Sequence, residues 1–560
     1  MKRSVKRVVN KIIPLVVLAV VILVLFLTCG KKGAASSDIQ YIPGSENNPR
    51  YGGVLNYPFW IADSIDPHKS SGWGAYLWAT CVFETPLTMD PAGNLMPGVC
   101  EYNLSEDNLV LTLWPREGLV FHDGTPVTVA DVKASIKRAN DCVSQIRNNF
   151  GKLIDWDNVK DVVYTDENGV AHNAVEYRYK YFSVNATYYL ACGQHWCAII
   201  PARLCEAYGK EKTITEVKDV IGTGPYYLAE IDDSRVTLKR FGGYKICDEY
   251  YNGMKRTGRS APRMAYMDEI NIYSSEDALG EAMSFLQKDY DLGTLFGEFL
   301  DSYEAYHKKR DTQTVNMHYL AFNTEGNRPV NNVYLRKAIA AAIDYNDINK
   351  FLAQSGTLQM DPDMVSFMDK STPYYDNRLH DADYAGPANK ELAKEYLHKA
   401  YETGYTGERL YLLTLPSNEI ATLIQSMCED VGIPLDITFL DGGSYEDMRR
   451  NPSANWDMVP LRSVQSTYSP SQLVTNLRSM YWKNERKDEL YSLLEKVPYA
   501  SEKSFGYWDE IMQLWAEECP YLVFGAESPY IFMDEDLERN MEGSWEYLWN
   551  AYWKHPEKHR

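Results

Sequence analysis

The chain has 560 residues and carries 57 Lys and Arg against 77 Asp and Glu, a formal net charge of −20. Neutralising phosphate requires Lys/Arg surfaces, so this balance argues against a nucleic-acid partner, and the apolar and charged content is that of a folded protein. At roughly 150 residues per domain the length allows three or four domains.

Residues 1–29 read as a targeting segment. Lys2, Arg3, Lys6, Arg7 and Lys11 form a basic head, and the apolar run "IIPLVVLAVVILVLFLT" ends at Cys29. A cysteine there resembles a bacterial lipoprotein signal, in which it is lipidated and becomes the mature N-terminus. The preceding Phe26-Leu27-Thr28 departs from the usual pattern of a leucine followed by small residues. The alternative is an uncleaved single-pass anchor. Either way a folded body is tethered outside the cell, beyond a Gly/Ser/Asn/Pro-rich linker at 30–47.

Without Cys29 nine cysteines remain, an odd number that excludes complete internal pairing. Most read as buried free thiols. In "CGQHWC", Cys192, His195 and Cys197 have the look of a metal half-site. A structural zinc site takes four ligands, so the favoured reading is an apolar segment with two thiols or one disulfide. No metal or cofactor is expected.

"YGGVLNYPFW" predicts a first strand and "DSIDPHKSSGWG" a loop. "AYLWATCVFETPL" has Leu77, Cys81 and Val82 at helical spacing. Leu109, Leu111 and Leu113 then alternate with Val110, Thr112 and Trp114, as in a strand. Asp123-Gly124 is a turn dipeptide. Thr128 and Asp131 have the spacing of a capping box, and Val132, Ile136 and Ala139 give the following helix one apolar face. His122 and Asp123 therefore mark a turn rather than a catalytic corner. Neighbours in an extended segment point to opposite faces, and no Gly-x-Ser-x-Gly elbow supplies a nucleophile. No catalytic residue is assigned, although a membrane-tethered hydrolase remains the alternative from another class.

"FSVNATYYLACGQHWCAIIPARL" reads as strand and then mixed. Gly222-Thr223-Gly224-Pro225 is a turn leading to strand residues Val236, Leu238 and Arg240, without the Lys-Ser/Thr of a phosphate loop. "MDEINIYSSEDALGEAMSFLQKDYDL" predicts strand, loop, a helix with Met283 and Leu286 on one face, and the start of a strand. Helices follow with Leu335, Ile339, Ala342 and Ile343 on one face, then Ala393, Leu397, Ala400 and Tyr401 on another, ending at Gly404. "RLYLLTL", a helix carrying Ile420, Leu423, Ile424, Met427 and Val431, and "IPLDITFL" form a βαβ unit with a parallel strand pair.

Several segments, in order, resemble the family 5 extracellular solute-binding proteins of bacterial ABC importers: "GGVLNY", "IDPHKSS", "VFETPLTMDPAGNLMPGVCE", "WPREGLVFHDGTPVTVADVKASIKR", "GTGPYYL", "FNTEGNRPVNNVYLRKAIAAAID", "AKEYLHKAYETGY" and "EDVGIPLDI". The resemblance covers roughly residues 50–550. It implies an α/β, two-lobed, hinged periplasmic-binding-protein-like fold with a further domain inserted in the N-terminal lobe. Lobe I would take 48–75, 200–310 and 511–560, the inserted domain 76–199, and lobe II 311–510. Ligand would be trapped between the lobes and delivered to a membrane permease, with no bond chemistry.

Peptide binders of the family carry an aromatic-x-x-Asp element whose aspartate pairs with the peptide ammonium. In "WDMVPLRSVQSTYSP" those two places hold Ser463 and Ser466. An ammonium buried without a carboxylate is costly, so the ligand is an oligopeptide held differently or, alternatively, an oligosaccharide. The resemblance places Ser71, Gly72 and Trp73 at the first-lobe edge of the site. It places Asn148 and Phe150, with Asn149, on the inserted domain, and Arg462, Ser463, Ser466 and Tyr468 on the second-lobe wall. No His cluster near these positions suits nickel.

Overall fold

The computed structural model describes residues 51–559 outside 60, 62–63, 71–72, 90–94, 192–194, 245–264, 275–279, 281–282, 286, 294–305, 311–315, 355–357, 364, 369–371, 417–419, 450, 465–480, 540–547 and 549–550. Cys29, the targeting segment and linker, Ser71, Gly72, Cys192, Leu286, Ser466 and Tyr468 lie outside the described residues.

The first sheet has four strands in the order Val54–Phe59, Glu269–Ser274, Arg235–Arg240 and Tyr226–Ile231. Its first pair is parallel and the others antiparallel. A second, wholly antiparallel four-stranded sheet orders Cys100–Leu104, Val110–Pro115, Ala171–Arg178 and Lys160–Thr165. The helix Val129–Cys142 packs on it. Thr128 Oγ1 accepts from the Asp131 N–H while the Asp131 carboxylate accepts from the Thr128 N–H, the reciprocal box expected from the sequence. Val132, Ile136 and Ala139 are buried in one cluster with Leu111, Leu113 and Tyr177. That cluster continues into Leu55, Tyr57, Ile270 and Ile272 of the first sheet. The sheet of the 76–199 region thus shares a single core with the first sheet.

The third sheet has eight strands. Its main path runs Leu292–Gly293, Tyr521–Asp534, Asn316–Phe322, Met458–Val464, Leu410–Thr414 and Leu435–Phe439, with Tyr306–Arg310 and Leu358–Asp361 also paired to the long strand. The last two strands of the path are parallel and joined through the helix Ile420–Asp430, the expected βαβ unit. Side chains alternate across the strand Asn316–Phe322. Leu320 and Phe322 enter a core with the helices Val333–Ala342, Lys390–Glu402 and Ile420–Asp430. Met317, Tyr319 and Ala321 enter an aromatic core on the other face with Trp456, Trp482, Trp508 and Trp515.

Three expectations differ from the structure. Residues Asn185–Ala191 form a helix, not a strand, because burying Tyr188, Tyr189 and Leu190 in the first core outweighs the strand preference of aromatic residues. On the helix Lys390–Glu402, Tyr401 is exposed and Tyr396 is the buried aromatic, since Tyr396 lies one turn before Ala400 on the core face. The chain does not return to lobe I at residue 511. Ile511, Met512 and Trp515 of the helix Glu502–Glu518 pack into the aromatic core of the third sheet. The return lies inside the long strand: Tyr521–Glu527 pair with Asn316–Ala321, and Tyr530–Asp534 pair with Tyr306–Arg310.

Candidate functional site

The loop "IDPHKSS" is locked to the helix Val129–Cys142 by an ion pair removed from water. Arg138 Nη2 lies 2.5 Å from Asp66 Oδ2 and Nη1 lies 2.8 Å from Oδ1, with both side chains almost wholly buried. Asp66 also accepts from the backbone N–H of Ile214 and of His68. Burial pushes the Asp66 carboxyl up, but the hydrogen bond and charge of Arg138 outweigh it and hold the carboxyl below its ordinary range. This network fastens the segment leading to Trp73 onto the second sheet.

His122 makes a second fastening. The Gly222 N–H donates to Nδ1 at 3.2 Å, so the proton sits on Nε2, which donates to Gly224 O at 3.0 Å. Gly222 and Gly224 must be glycine here. A Cβ on either would lie 2.2 Å from Val82 O or 2.4 Å from Cys81 O. Burial lowers the His122 pKa to about 4. Asp123 faces elsewhere, accepting from Thr125 and pairing with Arg203 at 2.5 Å. The two residues serve a turn and a clamp, not a nucleophile. Six of the seven described cysteines are buried, and no group of metal-ligating side chains occurs among the described residues.

The long strand carries an unusual stretch where it leaves the third sheet. The register against Asn316–Phe322 shifts between His318 and Tyr319, a bulge that re-aims side chains. Opposite lies Gly525, with φ +154°. Two residues on, Glu527 is 1% exposed. Its Oε2 is 2.5 Å from His318 Nε2, and its Oε1 accepts from Asn316 Nδ2 at 3.2 Å and pairs with Arg462. Arg462 sits directly opposite His318 across the strand pair, and its side chain is 54% exposed. The sequence reading named Arg462 and missed Glu527, His318 and Asn316. The signal was a lone acid in the otherwise apolar strand "YLVFGAESPYIFMD".

Of the other residues singled out, Ser463 lies in the strand Met458–Val464 beside Arg462. Trp73 opens the helix Trp73–Val82. Asn148 is exposed on the short turn Arg147–Gly151. Phe150, on the same turn, is fully buried and meets Trp156, Tyr177 and Tyr179 edge to face. Its ring is a core element of the second sheet, and Arg147 and Asn148 are the residues of this turn that face solvent. The Val184 N–H, just before the helix Asn185–Ala191, donates to Glu495 O at the end of the helix Glu485–Leu494, at 2.9 Å.

A family model described as "Bacterial extracellular solute-binding proteins, family 5 Middle" matches residues 94–485, well over half of the chain. The glutathione-binding protein GsiB of Escherichia coli O1:K1 / APEC is 28% identical over 183 residues, 32% of this chain and 33% of its own length. The chain thus matches about a third of the length of such curated relatives. The ABC transporter substrate-binding protein CtaP from Listeria monocytogenes has a TM-score of 0.71 at 18% identity, covering 90% of this chain and 100% of that one. The oligopeptide-binding protein AppA from Bacillus subtilis, solved with a nonapeptide, has a TM-score of 0.63 at 16% identity, covering 90% and 99%. These structural likenesses establish the two-lobed α/β fold. The family binds solutes and is not a family of enzymes. The chain belongs to the bacterial extracellular solute-binding proteins of family 5.

Proposed function

We infer that this protein captures an oligopeptide or a similar solute between its lobes and delivers it to the permease of an ABC importer. The observation that carries this reading is the long strand Tyr521–Asp534. It begins among Leu522 and Phe524 in one core of the third sheet and ends with Met533 in the core of the first. A strand shared by two cores is the kind of connection about which lobes close on ligand. The peptide class is supported by what the relatives bind, glutathione for GsiB and a nonapeptide for AppA. The proposed wall comprises Ser71, Gly72 and Trp73 of lobe I, Asn148 of the inserted domain, and Arg462, Ser463, Ser466 and Tyr468 of lobe II. Phe150 belongs to this reading as the buried support of the Asn148 turn. Lipidation at Cys29 would hold the exported protein at the outer face of the membrane.

The test is a thermal-shift titration of the full chain in detergent with di- to pentapeptide mixtures and, separately, neutral oligosaccharides. A ligand at about 100 times its dissociation constant adds on the order of 2.7 kcal/mol. A rise of the melting transition with peptides is the expected outcome. A rise with sugars alone would replace the peptide class.

A further inference from the structure

We propose that Arg462, held in place by the buried Glu527, is a carboxylate anchor, so that this site selects solutes carrying a carboxylate. The proposal rests on the reading that solute binds between the lobes, and it names the chemistry of that solute.

The strand register puts the cluster on one face. Asn316 is opposite Val464 on one side and Glu527 on the other, and His318 is opposite Arg462. Directly opposed residues share a face. Met317, between them, points into the aromatic core on the other side. The cluster lies at the end of the sheet where the long strand departs for the first core, since Tyr530–Asp534 already pair with Tyr306–Arg310.

Within the cluster the roles divide by exposure. Both Glu527 oxygens are engaged, Oε2 by His318 and Oε1 by Asn316 and Arg462. At 1% exposure this carboxylate has no face to offer an incoming ammonium. Burying a carboxylate alone is unfavourable, so the Arg462 guanidinium and the hydrogen-bonding partners His318 and Asn316 hold it there, and it in turn fixes them. Arg462 is the member open to solvent. A guanidinium has five N–H donors in a planar fork. Arg462 pairs with Glu527 through Nη2, which leaves donors for a bidentate carboxylate. Glu527 is thus a positioning residue that pre-orients the fork. Four residues after Arg462, where the family resemblance leads to an ammonium-binding aspartate, the chain has Ser466. A lost carboxylate and a braced guanidinium change the site in the same direction, from ammonium to carboxylate recognition.

The test uses the full chain in detergent and calorimetric titration with matched ligands. These are trialanine as free acid and as C-terminal amide, the amide of Ala-Glu-Ala, and maltotriose paired with trigalacturonic acid. The free acid is expected to bind about tenfold or more tightly than its amide. Arg462→Gln should erase that preference, and Arg462→Lys should restore part of it. Glu527→Gln should narrow the preference for the acid over the amide. Arg462→Lys keeps a positive charge beside the buried Glu527 and should melt as the wild type does, so it reads the anchor even where Arg462→Gln or Glu527→Gln lowers the melting transition. Preference for Ala-Glu-Ala amide over trialanine amide would assign the anchor to a side-chain carboxylate. A charge preference seen only between the two sugars would keep the anchor and remove the peptide class. Equal binding of acid and amide, with neither glutamate nor uronate preferred, would overturn the anchor while the binding function stands. No binding by any ligand would overturn both.

Discussion

His122 is a neutral ring whose two nitrogens clamp Gly222 and Gly224 from about a hundred residues away. A proton on Nδ1 would displace the Gly222 N–H and charge a buried ring. Burial lowers the pKa of His122 to about 4, and that of His195 likewise; burial and then the Arg138 charge do the same to His68. For all three the unfolded chain takes up its proton first, near pH 6.5. Their stabilisation is therefore complete above about pH 6.5 and lost as the pH falls towards about 4, by about 2 kcal/mol per histidine at pH 5. Asp291 acts in the opposite sense. Burial pushes its carboxyl up to about 7, so its contribution fades as the pH rises from about 4 to about 7. Three groups outweigh one, and acidification from pH 7.5 to 5 should lower the urea midpoint. His122→Gln should start less stable at pH 7.5 and lose less on acidification; an equal loss in both would place the pH dependence elsewhere. That His122 and Asp123 belong to a turn was legible, because turn chemistry accounts for each residue type locally. The clamp was not, because its glycine partners are set by tertiary contact. Glu527 was hidden for the same reason: three strands distant in sequence must pair before His318, Arg462 and Asn316 reach it.

At the scale of elements, periodicity and caps carried well. The capping box at Thr128 and the buried faces of the helices Val129–Cys142 and Ile420–Asp430 follow from 3.6-residue spacing, which local sequence sets. The helix Asn185–Ala191 did not, since its Thr-Tyr-Tyr composition favours a strand and only burial decides against it. The bulged stretch of the long strand tests whether local backbone geometry is required at the proposed site. A Cβ on Gly525 would lie 2.6 Å from Asn349 Oδ1 and 3.0 Å from Asp361 O, at φ +154°. Gly525→Ala should destabilise by on the order of 1–3 kcal/mol. Gly506, exposed in the helix Glu502–Glu518 with nothing near its missing Cβ, provides the control. Gly506→Ala should stabilise by up to about 1 kcal/mol. Chemical denaturation of the two variants reads the opposite signs; stabilisation of Gly525→Ala would mean that the strand relaxes freely there.

At the scale of the molecule, the two-lobed architecture came from ordered motifs, and the structural relatives bear it out. The crossing of the C-terminal chain was not legible. A strand's sequence shows that it will pair, but not that its first half joins one lobe and its second half the other. That strand, which pairs first with Asn316–Ala321 and then with Tyr306–Arg310, makes lobe closure the central claim. The most direct test is fluorescence transfer between dyes placed through non-natural amino acids at Val163 and Phe439. Both residues are exposed, one on the second sheet and one on the third. With the full chain in detergent, a peptide that raises the melting temperature should change the transfer efficiency saturably. The change should reverse on dialysis, and the peptide should be recovered unaltered in mass. A bound peptide that leaves the transfer unchanged, or that is recovered cleaved, would contradict capture by closure.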